Sequence, residues 1–131
     1  MSKHSSKNEK NALIILYEGK FFTVEYAIDS NGVSLSKKFI ESLEIGYRAK
    51  IIALIKRYAN HGRIQSRQQF KKLVDHIWEF KKDDVRVLMY HCAPSHIALT
   101  NGFFKKQPRT PSQEIKRAIR IKEEYDSIRK D

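Results

Sequence analysis

Five cationic side chains able to hold a phosphate follow or interrupt apolar runs in the second half of this sequence. They are Lys81, Lys82, Arg86, Lys105 and Lys106. Arg86 is the strongest candidate because it lies among apolar residues in "VRVLMY", where a buried guanidinium must find an anionic partner. That partner is either a phosphate or the carboxylate of Glu79 in the preceding run, and the pattern leaves both open.

Three further cations extend this set as candidate nucleic-acid contacts: Lys71, Lys72 and Arg109. Arg109 lies in the loop "KKQPRTP", where Thr110 and Pro111 are typical of a helix start. The free N–H groups and the positive dipole end of a helix start favour anions. We therefore expect this loop, the helix start and Arg86 to meet at one phosphate.

Proton transfer requires a second kind of residue. If a bound phosphodiester were cleaved, the reaction would need a base for the attacking hydroxyl, an acid for the leaving oxygen and fixed cations at the phosphate. His91 is a candidate because histidine titrates near neutral pH, and Lys81 is predicted to face Arg86 across a hairpin. The predicted catalytic residues are Arg86, Lys81, Lys105 and His91. No carboxylates and histidines have metal-ligand spacing and Cys92 is the only cysteine, so the sequence predicts neither a metal nor a cofactor.

The distribution of charge narrows the class of partner. The chain has 131 residues and a formal net charge of +11 at pH 7, which favours a polyanion, either nucleic acid or an acidic protein. Residues 56–82 hold eight Lys and Arg against two acids, and residues 103–131 hold nine against five. Residues 12–55 hold five of each. A solvated surface is one explanation of the excess, but its clustering favours a binding face.

The length predicts one domain over residues 12–131, after a disordered basic tail at 1–11 that has no apolar residue beyond Met1. No run approaches the roughly 20 apolar residues that a membrane span requires. The first apolar block lacks the pattern of a signal peptide. We therefore expect a cytoplasmic protein without membrane contact.

Hydrophobic periodicity predicts the elements that must position these residues. Two strands, "ALIILY" and "FFTVEYAI", flank the short link "EGK", and "DSNG" marks a turn. Ser34 is predicted to cap a short helix, and a longer helix is predicted to end at a left-handed Gly62. The stretch "SRQQ" (66–69) has the pattern of a capping box, which predicts one or two helical turns through Val74.

Alternation with period two then replaces helical spacing. Three strands joined by short hairpin links are predicted at residues 77–81, 85–92 and 96–104. Trp78 is predicted to pack in the core, with stacking on a nucleic-acid base as the alternative. Thr110 is predicted to cap a C-terminal helix. The sequence thus predicts an α+β fold with an antiparallel sheet, made of an N-terminal strand or hairpin plus a three-strand meander. Two to three helices precede the meander, and one follows it.

Four segments together resemble one known family. They are "RAKIIALIKRYANHG" (48–62), "KKLVDHIWEFK" (71–81), "VRVLMY" (85–90) and "GFFKKQPRTPSQEIKRAIRIKEEY" (102–125). In this order they resemble the RelE/ParE superfamily of bacterial toxins, and specifically its HigB-like, phage-derived branch. The resemblance spans roughly 21–125, and its last segment is the most specific. By position, Arg86 corresponds to the arginine that contacts the scissile phosphate in RelE-like nucleases.

The resemblance implies the toxin half of a type II toxin–antitoxin pair. Most such toxins cleave mRNA, so the leading prediction is a metal-independent, ribosome-dependent mRNA endonuclease that blocks translation. The implied partners are the ribosome, mRNA and a cognate antitoxin, which in HigB-like systems usually carries a helix-turn-helix domain. Glu79 stands where RelE-like nucleases have a lysine, and their C-terminal tyrosine has no clear equivalent here. Tyr125 is one candidate, but packing of the last helix against the core explains it equally well.

Two other functions stay open on the sequence alone. A smaller branch of the superfamily inhibits DNA gyrase by protein contact, which fits the lack of an evident acid–base pair. A DNA-binding regulator would use the helices predicted within 47–61 and 66–75 as a helix-turn-helix. Against that reading, both helices carry strong apolar stripes, and strands rather than a third helix follow them.

Overall fold

The structure is a computed structural model that describes residues 12–129, so the predicted tail at 1–11 lies outside it. The strands are β1 (Ile15–Glu18), β2 (Thr23–Tyr26), β3 (Phe70–Val74), β4 (Ile77–Lys82), β5 (Val85–Ala93) and β6 (His96–Phe104). The helices are α1 (Leu35–Ser42), α2 (Ile45–His61) and α3 (Ser112–Ile128). Within residues 12–129, no helix is both long and apolar enough to cross a membrane.

One six-stranded sheet, in the order β1-β2-β6-β5-β4-β3, organises the molecule. Strands β3 to β6 form an antiparallel meander, and β1 and β2 form an antiparallel hairpin. The hairpin joins the meander through β2, which runs parallel to β6. The predicted α+β fold is confirmed, with a meander of four strands rather than three and with two helices before it.

The helical turns predicted after the capping-box pattern at 66–69 are wrong. A single turn forms there, closed by the N–H of Phe70 on the carbonyl of Ser66 at 3.0 Å. The chain then enters β3, where Phe70 is buried and pairs with Phe80 of β4. His76 takes a positive φ of 71° in the tight link between the two strands. Strand pairing and burial of Phe70 therefore outweigh the local helical signal.

The signals that bound the two earlier helices are confirmed. The hydroxyl of Ser34 accepts the N–H of Lys37 at 3.2 Å and so caps α1. Gly62 ends α2 with a φ of 80°, and its N–H donates to the carbonyl of Tyr58 at 2.8 Å. Glycine adopts this left-handed conformation without steric cost.

The sheet separates two apolar clusters, and the alternation of β5 shows which residues face each side. Odd-numbered residues of β5, such as Val87 and Met89, pack in the cluster that includes α1 and α2. Even-numbered residues, such as Leu88 and Tyr90, pack against α3. Because successive side chains of a strand point to opposite faces, Arg86 lies on the α3 side.

Candidate nucleic-acid interface

Arg86 is a buried arginine whose charge has no carboxylate beside it. The residue is only 9% exposed, and its Nη1 donates to the carbonyls of Asp83 at 2.7 Å and Val85 at 2.9 Å. The alternative ion pair with Glu79 is not formed, and no carboxylate of residues 12–129 makes a salt bridge to Arg86. Within the same residues its Nε and Nη2 have no hydrogen-bond partner. The carbonyls thus fix the guanidinium while three of its five N–H donors stay available to an anion.

Glu79 has another partner, which also changes the expected start of α3. The Thr110 hydroxyl donates to Oε2 of Glu79 at 2.6 Å, and Glu79 is 1% exposed. The prediction that Thr110 caps the helix is wrong: Pro111 stands at the N-cap position without a side-chain cap, and the helix begins at Ser112. The charge-assisted bond to the buried carboxylate holds the Thr110 side chain at β4. The bond ties the segment before α3 down onto β4.

Lys81 lies directly opposite Arg86 in the β4–β5 pair, as predicted. Burial lowers the pKa of its ammonium, and so do the charges of Lys71, Arg86 and Lys105, against the opposing effect of Glu79. The N–H of Lys105 donates to the carbonyl of Asp84 at 2.7 Å, which fixes the start of the β6–α3 loop beside this pair. We call Lys71, Lys81, Arg86 and Lys105 the Arg86 cluster.

The other predicted cations fall into two groups by their location in the fold. Lys106 and Arg109 are exposed in the β6–α3 loop, and Lys106 lines a cleft of about 440 Å³ beside the start of α3. Lys82 lines a cavity with Lys50 and Arg57 of α2, on the far side of the sheet. Lys72 pairs instead with Asp75 at 3.8 Å. Lys106 thus follows Lys105 of the cluster in the chain, whereas Lys72 and Lys82 do not belong to the cluster.

His91 lies on the face of the sheet opposite to Arg86. Its Nε2 is 3.0 Å from the hydroxyl of Tyr58, and its ring packs 5.2 Å from that of Phe22. Burial lowers the pKa of the imidazole. Five residues of extended chain separate it from Arg86, about 17 Å. The structure therefore does not bring this candidate proton-transfer group to the cluster.

A buried polar network around Glu25 escaped the sequence reasoning. The Glu25 carboxylate is fully buried and accepts hydrogen bonds from Tyr125 at 2.6 Å and from Arg129 at 2.6 and 2.9 Å. Nδ1 of His96 lies 2.7 Å from the same carboxylate. The only signal in the sequence was an acidic residue between apolar residues of a predicted strand. This network explains Tyr125 structurally, at the end of the sheet away from Arg86.

Cys92 and the possible metal ligands of the described residues were the remaining groups with reactive side chains. Burial, assisted by the charge of Glu25, raises the pKa of the Cys92 thiol to about 12, so the thiol is neutral and poorly nucleophilic. Within residues 12–129, no three His, Cys, Asp or Glu side chains are placed to hold a metal ion.

A model of a known protein family matches most of the described chain. The model of a family described as phage derived protein Gp49-like (DUF891) matches residues 38–123, about two thirds of the chain. The matched range contains every residue of the Arg86 cluster as well as Thr110 and Glu79. No curated protein matches the chain.

Proposed function

We propose that this protein is a metal-independent mRNA endonuclease that acts on the ribosome and blocks translation. The premise is that the chain belongs to the Gp49-like family of phage-derived proteins. The family is a RelE/ParE-type toxin family of toxin–antitoxin systems, and membership implies an antitoxin as partner. The HigB-like branch and an antitoxin with a helix-turn-helix domain are the finer assignments that we propose within it.

The observation that carries this proposal is the uncompensated charge of Arg86. An arginine this deeply buried requires an anion, and its orientation is already set by two backbone carbonyls. A guanidinium held in this way needs no reorganisation when negative charge develops on a phosphate, which is the condition for strong transition-state stabilisation. In this proposal Arg86 and Lys105 bind the scissile phosphate.

Lys81 is the proposed proton-transfer group. Its lowered pKa increases the neutral fraction of the amine at physiological pH, and a neutral amine can accept the proton of a 2′-hydroxyl. Lys81 faces Arg86 across the hairpin, so base and phosphate contact would act on one nucleotide. Lys106 and Arg109 would hold neighbouring phosphates along the loop. The antitoxin would silence the toxin by covering these cations.

Expression of matched variants in growing cells tests the proposal. The double variant Arg86→Gln/Lys105→Gln removes two charges from the cluster, and Lys38→Gln/Lys116→Gln removes two exposed charges elsewhere as its control. We expect growth arrest and new RNA ends within translated codons for the unaltered protein and the control. The cluster variant should show neither, while its thermal unfolding midpoint stays within a few degrees.

Full toxicity of a folded Arg86→Gln/Lys105→Gln variant would refute the assignment of the site. Growth arrest with an SOS response and without new RNA ends would refute the nuclease and identify a gyrase inhibitor in its place.

A further inference from the structure

We propose that a groove on the opposite face of the sheet binds an unpaired base of single-stranded RNA. The groove has a volume of about 410 Å³ and lies between the segment after α2 and the β3 edge of the sheet. Residues that define it are Arg63, Arg67, Phe70, Lys71, Lys72 and Trp78. We call it the Trp78 groove.

The aromatic floor of the groove is built for stacking. The indole of Trp78 lies on the ring of Phe70, with centroids 5.0 Å apart and planes inclined by 10°. Phe70 in turn packs on Tyr58 at 4.6 Å, so Trp78 ends a column of rings that continues into the core. Trp78 itself is only partly buried and lines the groove. A planar ring entering the groove would therefore extend a column that is already ordered.

The walls of the groove carry positive charge alone. Four cationic residues and no acidic residue line the groove. Lys71 lies at its edge, because its pairing with Glu79 puts its side chain on the Arg86 face of the sheet. Within residues 12–129, Arg63 and Arg67 form no ion pair, and Lys72 has only the exposed Asp75 at 3.8 Å. An acidic peptide would match this charge but would leave the indole unstacked. A single nucleic-acid strand supplies both the phosphates and the planar ring.

The groove is continuous with the Arg86 cluster through Lys71. Lys71 lines the groove and also acts electrostatically on Lys81 of the cluster. β3 and β5 are separated only by β4, so Lys71 and Arg86 lie two strand spacings and two residues apart, roughly 12 Å. A strand whose phosphate lies at Arg86 would pass the sheet edge and place a nearby base on Trp78. This last step rests on the proposed function, whereas base binding does not.

Trp78 is the only tryptophan of the chain, so its fluorescence reports on the groove. The full-length protein is titrated with a short 2′-O-methyl RNA, which resists cleavage, and with an abasic ribose-phosphate oligomer of equal length. We expect saturable quenching by the RNA and at least tenfold weaker binding of the abasic strand. Equal affinity for both strands, no quenching by either, or equal quenching by poly-glutamate would overturn the proposal.

Two sets of variants test the rings and the cations separately, by the fluorescence anisotropy of a labelled strand. Trp78→Ala should weaken binding about 5- to 100-fold, the range for one stacked base, whereas Trp78→Phe retains a ring and should stay within about threefold. Arg63→Gln/Arg67→Gln should lower the slope of log affinity against log salt by about two, whereas the exposed Lys38→Gln leaves it unchanged. Unchanged affinity in the arginine double variant overturns the proposal even where Trp78→Ala fails to fold.

These measurements separate the groove from the endonuclease. Base-dependent quenching by a protein that cuts no RNA would retain the groove and remove the proposed activity. RNA cleavage that proceeds equally in Trp78→Ala, with no quenching in the unaltered protein, would retain the activity and remove the groove.

Discussion

Replacing Arg129 by methionine tests how strongly the end of α3 stabilises the N-terminal hairpin. Arg129 donates from Nε and Nη2 to the two carboxylate oxygens of Glu25, at 2.6 and 2.9 Å, and its side chain is 5% exposed. Methionine keeps an unbranched side chain and removes the charge. Among the described residues, Tyr125 and His96 then still contact the Glu25 carboxylate, which stays fully buried.

The expected loss of unfolding free energy is about 3 kcal/mol at neutral pH. Removing one partner of a buried ion pair typically costs about 3–5 kcal/mol, because the remaining charge is left uncompensated. The two remaining bonds to Glu25, at 2.6 and 2.7 Å, place the expectation at the lower end. The double variant Glu25→Gln/Arg129→Met also removes the uncompensated charge of Glu25, so we expect it to be more stable than Arg129→Met.

At acidic pH, the difference in unfolding free energy between the unaltered protein and Arg129→Met should become smaller. Burial alone would raise the pKa of Glu25, but the hydrogen bonds from Arg129, Tyr125 and His96 together hold it below its ordinary value of 4.5. The stabilisation is therefore fully present above that value and is lost as the pH falls through the lower pKa of the folded state. In Arg129→Met the effect of burial is no longer balanced by Arg129, so the carboxyl binds a proton at higher pH and the deficit shrinks.

Urea unfolding, followed by circular dichroism at neutral pH and again near pH 4.5, measures both effects. Arg120→Gln on the same helix is the control, since its ion pair with Glu124 is exposed to solvent and should contribute much less to stability. A loss below about 1 kcal/mol in Arg129→Met, or a deficit that widens in acid, would refute the reasoning.

Two further substitutions test close packing and the tether of the β6–α3 loop. A Cβ at Gly19 would lie 2.5 Å from the carbonyl oxygen of Ala59, so Gly19→Ala should lose about 1–3 kcal/mol in urea. A Cβ at Gly46 in α2 would meet nothing within 4 Å, so Gly46→Ala should be neutral or up to about 1 kcal/mol more stable. Equal losses of stability in Gly19→Ala and Gly46→Ala would contradict the packing argument. Thr110→Val leaves Oε2 of Glu79 buried without its donor and should cost about 1–3 kcal/mol, whereas Thr110→Ser retains the bond. Identical unfolding curves for those two variants would show that the bond does not hold the loop.

Elements with strong local signals could be predicted from the sequence. Ser34 marks a helix start through its hydroxyl, and Gly62 marks a helix end through its left-handed backbone. Short turn links separate the apolar runs between 77 and 104. The segment 66–74 could not be predicted, because its apolar spacing also fits a helix and only pairing with β4 decides between the two. The parallel pairing of β2 with β6 has no local signal at all.

Part of the candidate site could be predicted in the same way. The pairing of Lys81 with Arg86 follows from a short hairpin link, and so was expected. The strand's own alternation also puts His91 on the opposite face, since it lies an odd number of residues from Arg86. The network that joins Glu25 to Arg129 spans more than a hundred positions, and no pattern within either segment indicates the other.

The parallel β2–β6 pair also sets the order in which a nascent chain can become active. Thr23 leaves the ribosome long before His96, its neighbour in the finished sheet, has been synthesised. Until the residues up to Arg129 have emerged, the β1–β2 hairpin lacks its neighbouring strand β6, and Glu25 lacks the guanidinium of Arg129. We expect assembly to be a late, cooperative event. Most of the chain would therefore emerge from the ribosome before its sheet is complete.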